Sequence, residues 1–276
     1  MADFFASTTK EEPGLALFLN AGDPALEVLP DVAAALDESG VDVLELAVPF
    51  PDSCTDGPVI RASADRALLR GTDLSTTLAA VAGFRHQLRG LRVALLADWS
   101  HTVRAGGVPN FLSNTIAHGV DAVLVHGLPP RLRAHYLDAA AHIGMPVVTT
   151  CYANSTPTVL AEAARSATAY VYLVAHYGRS GPAGTADFAA LRDPVTRLRA
   201  GTHGRIAVGF GVRSRHDLRE IHLAGADAAV VGSVAVARVA AVGDHNVADE
   251  LAALVHDLRP ASAPTPTYPA ERGTRP

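Results

Sequence analysis

Eight short apolar runs, each separated from the next by an amphipathic stretch, constrain this chain more than any other feature. They are LALFLNAG (15–22), VDVLELAV (41–48), LRVALLAD (91–98), VDAVLVHG (120–127), MPVVTTCY (145–152), AYVYLVAH (169–176), RIAVGFGV (205–212) and DAAVVGSV (227–234). Runs that are continuously apolar, rather than alternating, read as strands covered on both faces. The segments between them have helical spacing. PALEVLPDVAAALDESG closes on Gly40, and glycine closes NTIAHGVD and EIHLAGAD in the same way just before the next run. Eight strands with crossover helices specify a closed (β/α)8 barrel better than an open sheet, and such a barrel takes about 250 residues. The 276-residue chain is therefore read as α/β. A tail at 1–13 precedes one barrel domain at 14–258, and a Pro-rich, disordered tail follows at 259–276.

In such a barrel the chemistry sits at the C-terminal ends of the strands and in the loops after them. The second run carries a carboxylate, Glu45, between Leu44 and Leu46, and the following loop carries Asp56 just before Gly57-Pro58. Desolvation in an apolar strand disfavours the charged carboxylate and raises its pKa. Such a group can give and take a proton near neutral pH. A lone LEL would fit a structural ion pair equally well, but Asp56 in the next loop turns the reading toward catalysis. GFG (209–211) and VVGS (230–233) end the seventh and eighth runs. Glycines there let backbone N–H groups approach an anion, and the next helix adds its dipole, where barrels often hold phosphate. A small phosphorylated substrate is the expected ligand.

Other classes are disfavoured. The formal net charge is −5 and no Lys/Arg cluster is interleaved with aromatics, which speaks against nucleic acid. No apolar run approaches the roughly 18 residues of a membrane span, and MADFFASTTKEEPG lacks a basic segment followed by an apolar one. A cytoplasmic protein without a membrane partner is expected. Cys54 and Cys151 offer neither a disulfide framework nor metal-ligand spacing, and Cys54 reads as an inert loop thiol. Among 23 Lys and Arg residues the one lysine is Lys10, in the N-terminal segment, so a Schiff-base route is excluded. His101, His126 and His176 follow the third, fourth and sixth runs and could converge on an ion beside Asp98. No H-x-x-x-H motif supports this, and neither a metal nor another cofactor is expected.

The stretches NAGDP (20–24), LELAVPFPDSCTDGP (44–58), YLVAHYGRSG (172–181), GFG and AGADAAVVGS (224–233) occur in order. Together they resemble the tryptophan synthase alpha chain family over about residues 14–258, most specifically in the second-strand block. The resemblance implies a TIM barrel that cleaves indole-3-glycerol phosphate to indole and glyceraldehyde 3-phosphate, by a retro-aldol route without metal or Schiff base. It places the catalytic glutamate on Glu45, the aspartate of the D-G-P turn on Asp56 and a tyrosine of the sixth strand on Tyr172. The phosphate-binding glycines and serine fall on Gly211, Gly232 and Ser233. Phe18, Trp99, His126, His176 and Ser180 are expected to line the substrate or lie in the loops around it. A tryptophan synthase beta chain is the implied partner.

The departures from the family pattern cluster. DWSH (98–101) stands where the family carries Y-A-N-P, and HGLP (126–129) puts Gly127 where it carries an aspartate. PDSCTD (51–56) rearranges the second-strand loop, and the sixth-strand loop has Ala175-His176 and Ser180 for Ser-Arg and threonine. These changes fall at the ring end of the substrate and on surfaces that meet the beta chain. They leave three readings: a stand-alone indole-3-glycerol phosphate lyase, a reassigned lyase or aldolase for another phosphorylated skeleton, and a non-catalytic phosphate-binding subunit.

Overall fold

The computed structural model describes residues 3–175 and 188–259. Eight parallel strands form one sheet: β1 (Gly14–Asn20), β2 (Val43–Ala47), β3 (Arg92–Asp98), β4 (Ala122–His126), β5 (Thr149–Tyr152), β6 (Tyr170–Val174), β7 (Arg205–Gly209) and β8 (Ala228–Val231). Their order is β4-β3-β2-β1-β8-β7-β6-β5. A parallel bridge between Val123 and Val147 joins the two outermost strands. There the Val123 N–H donates to the Pro146 carbonyl at 3.0 Å and the Val148 N–H to the Val123 carbonyl at 2.9 Å, closing the circle. The barrel expected from the sequence is the fold observed. Each strand is shorter than its apolar run, because residues at one or both ends of the run belong to the adjoining loops.

Alternation along each strand divides the apolar residues between two cores. One cluster, including Leu15, Leu17, Leu44, Leu46, Val93 and Leu95, faces outward and is covered by the helices. The other faces the barrel axis and is built from small residues, with Ala16, Ala94, Ala122, Ala207 and Ala228 among them. Five alanines leave space at the bottom of the barrel. Phe4 and Phe5, 2% and 0% exposed, fill it from below. Both rings rest on Tyr170, with centroids at 5.9 and 5.1 Å. The segment set apart in the sequence as a tail thus carries the barrel's plug, since a ring of alanines cannot close the axis alone.

Three aspartates clamp neighbouring strands at this same end. Asp42 accepts the Leu15 N–H at 2.8 Å, Asp121 the Val93 N–H at 2.8 Å and Asp227 the Ile206 N–H at 2.8 Å. Arg259 faces Asp42, Arg85 and Arg92 face Asp121, and Arg199 and Arg205 face Asp227. The bottom is therefore fixed by charge-assisted contacts, which leaves the mouth free for loops of other purpose.

One of those loops matters most. The helix Pro58–Leu69 opens on Gly57 with Pro58 in its first turn, directly after Asp56. The Asn20 side-chain amide, at the end of β1, donates to the Ile60 carbonyl at 3.1 Å and to Ser63 Oγ at 3.0 Å. The start of this helix, and Asp56 with it, is so tied to the barrel rim.

Candidate active site

Glu45 lies in the middle of β2, between Phe18 of β1 and Ala94 of β3 in register. Its side chain points to the axis and is 1% exposed. With apolar and aromatic neighbours and no cation beside it, burial pushes its pKa up to about 7, and a hydrogen bond from Tyr170 opposes that rise. The Tyr170 hydroxyl donates to Glu45 Oε1 at 2.7 Å. A carboxyl poised near neutrality, dry below and facing a cavity above, is what proton transfer at neutral pH requires.

The tyrosine assigned from the sequence was Tyr172; the one bonded to Glu45 is Tyr170. Two residues apart on one strand, they share the axial face, so the pattern YVY held both. Tyr172 lies one layer higher, in the cavity wall. Its hydroxyl is held protonated by burial, and then by the negative charges of Glu45 and Asp56. Its ring lies where a Cβ on Gly209 would stand, so the glycine at the end of β7 makes room for it.

Asp56 lines the same cavity from the β2 loop. Ser53, 5% exposed, donates from Oγ to Asp56 Oδ2 at 2.7 Å and fixes the carboxylate's orientation. No cation pairs with Asp56 among the described residues, so its charge is available to the cavity.

Across the cavity, Gly211, Gly232 and Ser233 line the wall. Phe210 and Gly211, both in the lining, have φ of 73° and 95°. Gly232 caps the helix Ser233–Val242, whose first intrahelical bond runs from the Val236 N–H to the Gly232 carbonyl. The N–H groups of Ser233, Val234 and Ala235 are left for an anion. A Cβ on Gly232 would meet nothing nearer than Phe18 at 3.7 Å, so internal packing does not require a glycine there.

The remaining wall belongs to β3, β4 and β5. Leu96, Leu124, His126, Thr150 and Tyr152 line it, with Phe50 from the β2 loop. Phe18 and His126 both line the cavity. Trp99 does not line this cavity. Residues 94, 96 and 98 face the axis, so Trp99 turns outward into the π-helical turn Trp99–Val103 and packs on the outer core. Phe50, which the sequence reading passed over, takes the aromatic place at the rim. His101 stacks on Phe50 at 5.5 Å, and its ring donates from Nδ1 to Asp98 Oδ1 at 2.7 Å. It opens on a separate recess with Thr102 and His118, so His101 and His126 do not face a common ion. Among the described residues no group of three or more His, Cys, Asp or Glu side chains could hold a metal. His176 and Ser180 lie outside the described residues. Lys10 lies before β1, at the opposite end of the barrel, where its carbonyl meets His222.

The chain is similar to known proteins over most of its length. The profile of the tryptophan synthase alpha chain family matches residues 4–262. The tryptophan synthase alpha chain of Gloeobacter violaceus is 33% identical over 264 residues, covering 95% of this chain and 94% of that one. That of Laribacter hongkongensis is 37% identical over 244 residues, covering 88% and 91%. Among solved structures, the tryptophan synthase A-subunit of Pyrococcus furiosus superposes with a TM-score of 0.81 at 30% identity, covering 90% of this chain and 98% of that one. The match to the family model over residues 4–262 and the identity to these alpha chains over most of their length place the chain in the tryptophan synthase alpha chain family.

Proposed function

We propose that the protein is a carbon–carbon lyase that cleaves indole-3-glycerol phosphate to indole and glyceraldehyde 3-phosphate. The observation that carries this reading is Glu45, a dry carboxyl with its pKa near 7, in one cavity with Asp56 and an anion-binding helix N-terminus. The phosphate docks on Gly211, Gly232 and Ser233. The glyceryl chain then crosses Glu45 and Tyr172, and the indole N–H reaches Asp56. Protonation of indole C3 places positive charge on the ring nitrogen, and the Asp56 carboxylate stabilises that charge. The hydroxyl on the adjacent glyceryl carbon loses its proton and becomes the aldehyde oxygen. The C–C bond breaks, its electron pair returns to the ring, and neutral indole leaves. One proton is gained and one lost, and Glu45 handles both. Tyr172, kept protonated by its surroundings, donates to a glyceryl oxygen.

The family supplies the alpha subunit of tryptophan synthase, and one solved relative comes from a tryptophan synthase complex of Pyrococcus furiosus. A beta chain is accordingly the partner to test. The rearranged segments 51–56 and 98–101 favour turnover without one. No helix among the described residues is long and apolar enough to cross a membrane, and the lyase reading places the enzyme in the cytoplasm.

The test is indole release from indole-3-glycerol phosphate by the purified protein, with and without a tryptophan synthase beta chain, and with Glu45→Gln as control. Release that the substitution abolishes supports the lyase, and its dependence on the beta chain separates a stand-alone enzyme from a subunit. No release in either condition sinks the reading.

A further inference from the structure

The ring end of the cavity holds polar groups that the lyase reading does not use. β4 lies four strands from β8 in both directions around the barrel, so the end of β4 stands across the cavity from the phosphate site. His126 is at that end. The cavity wall it shares is largely apolar at this end, with Val48, Phe50, Leu96, Ala97 and Leu124 also in the lining. Among the described residues its imidazole makes no hydrogen bond, and its one aromatic contact is a stack on Phe50 at 6.5 Å and 24°. Thr150, on the adjacent strand β5, also lines the cavity and makes no side-chain hydrogen bond among the described residues.

The imidazole, without a hydrogen-bond partner among the described residues, is also held in place. Asp98, the register partner of His126, is 7% exposed and fixes His101 through both its N–H and its ring. His101 stacks on Phe50 at 5.5 Å, and Phe50 stacks in turn on His126. A chain of contacts thus runs from a buried carboxylate to a pocket-facing imidazole. An unsubstituted benzo ring seated here would cover His126 and strip its water while offering no partner. A polar group so covered works against binding, and a site built to pair it discriminates against a ligand lacking the pair.

We propose that His126 is a specificity-determining residue, and that the cavity takes an indole-3-glycerol phosphate carrying a hydroxyl on the far edge of its six-membered ring. A hydroxyl both gives and accepts, so it pairs with either neutral tautomer of the imidazole. Thr150 is placed to take its second hydrogen bond. The proposal rests on the lyase reading for the direction in which the substrate lies, and it names the substrate class of that same site.

The experiment compares kcat/KM for indole-3-glycerol phosphate and its 5-hydroxy and 6-hydroxy forms, in the wild type, His126→Phe and His126→Asn. The wild type is expected to prefer one hydroxylated form by about three- to tenfold, the range of one added neutral hydrogen bond. His126→Phe, which keeps a ring of similar size, is expected to bring the ratio to one or below. His126→Asn, which keeps a polar group, is expected to retain part of it. A wild-type ratio at or below one for both forms, or a ratio unmoved by His126→Phe, overturns the proposal. Calorimetry with the unreactive indole-3-propanol phosphate and its hydroxylated forms separates this from the lyase reading. Tighter binding of a hydroxylated analogue that His126→Phe removes, without cleavage of any substrate, upholds the recognition and sinks the lyase. Cleavage of the plain substrate with no hydroxyl preference does the reverse.

Discussion

The β7–β8 end of the cavity and its β3–β5 end are made of different material. The first is main chain: two consecutive residues with positive φ, and a helix N-terminus left bare by Gly232. The second is side chain: Phe50, Leu96, Leu124, His126 and Thr150. A site built from backbone N–H groups binds what every phosphate ester shares, and it changes only when the fold changes. A site built from side chains can be rewritten one residue at a time while the barrel stays as it is. Between the two stands Glu45, which belongs to neither end and, on the proposed lyase reading, serves the bond that is cleaved. Each part can be broken separately.

The largest effect is expected at the centre. Glu45→Gln keeps the shape and removes the proton, and kcat should fall by about two to four orders of magnitude, the range for a lost general acid/base. The same variant carries a stability signature. The folded-state pKa of Glu45 is raised from 4.5 to about 7, so the stability linked to this group is fully present below pH 4.5 and is lost as pH rises through about 7. The loss should approach 3 kcal/mol, on the order of what such a gap implies. Urea denaturation at pH 5 and pH 8 checks it: the wild type should lose stability across that interval, and Glu45→Gln should lose far less. Equal losses in both would show that Glu45 does not carry the shift.

Asp56→Asn comes next. It retains the Ser53 hydrogen-bonding site but cannot offset positive charge on the indole nitrogen, and kcat/KM should drop by about 10²-fold. Ser53→Ala leaves the carboxylate charged and only frees its orientation, so a fall of about three- to tenfold is expected. Steady-state indole release measures both. A Ser53 effect as large as that of Asp56 would mean that the loop, rather than the charge, is what the reaction needs.

The contrast between the two ends is sharpened by Gly232→Ala. The nearest atom to the new methyl is Phe18 Cβ at 3.7 Å, an ordinary contact, so the fold accepts it. The methyl instead stands in the way of the phosphate, and the Kd for glyceraldehyde 3-phosphate should rise about tenfold, as for a lost charge-assisted hydrogen bond. His126→Phe should leave that Kd where it is while moving the ring-substituent preference. Parallel changes in both would show that the ends are coupled and that their separation by material is superficial.

How much of this could be read from the sequence follows the same division. The barrel was legible because eight apolar runs with crossover helices leave few alternatives, and Glu45 because a carboxylate in an apolar strand is conspicuous. The glycines that line the β7–β8 end of the cavity were legible because GFG and VVGS stand out at the ends of their runs. The side-chain end was harder. Trp99 was drawn toward the substrate by its type, while the alternation of 94, 96 and 98 turns it away. Phe50 was passed over because its place depends on the path of a loop, which no periodicity reports. The plug of Phe4 and Phe5 was missed for a similar reason, since the short segment ahead of β1 carries no repeat, and the space they fill is a property of alanines far along the chain.

Tyr170 carries the smallest expected effect and the finest distinction. It sits in the lower layer of the barrel, between the phenylalanine plug and the catalytic carboxyl, touching Phe4, Phe5 and Glu45 alone among the groups that matter here. Its hydroxyl donates to Glu45, which favours the charged form and holds the pKa below where burial alone would put it. Tyr170→Phe removes that donor and keeps the ring that the plug packs against. The neutral form of Glu45 then gains, and the inflection of kcat/KM against pH, near 7 in the wild type, should move upward with a modest loss of activity. Phe5→Ala tests the same contact from the other side. It should cost about 3–5 kcal/mol of stability, as for a fully buried phenylalanine, and the inflection should shift in the same direction if the loosened Tyr170 ring lets the hydrogen bond lengthen. An unmoved inflection in Phe5→Ala, beside a moved one in Tyr170→Phe, would confine the plug to stability. Inflections that stay put in both variants would mean that desolvation alone sets the proton affinity of Glu45, and that the tyrosine beneath it is there to fill the axis.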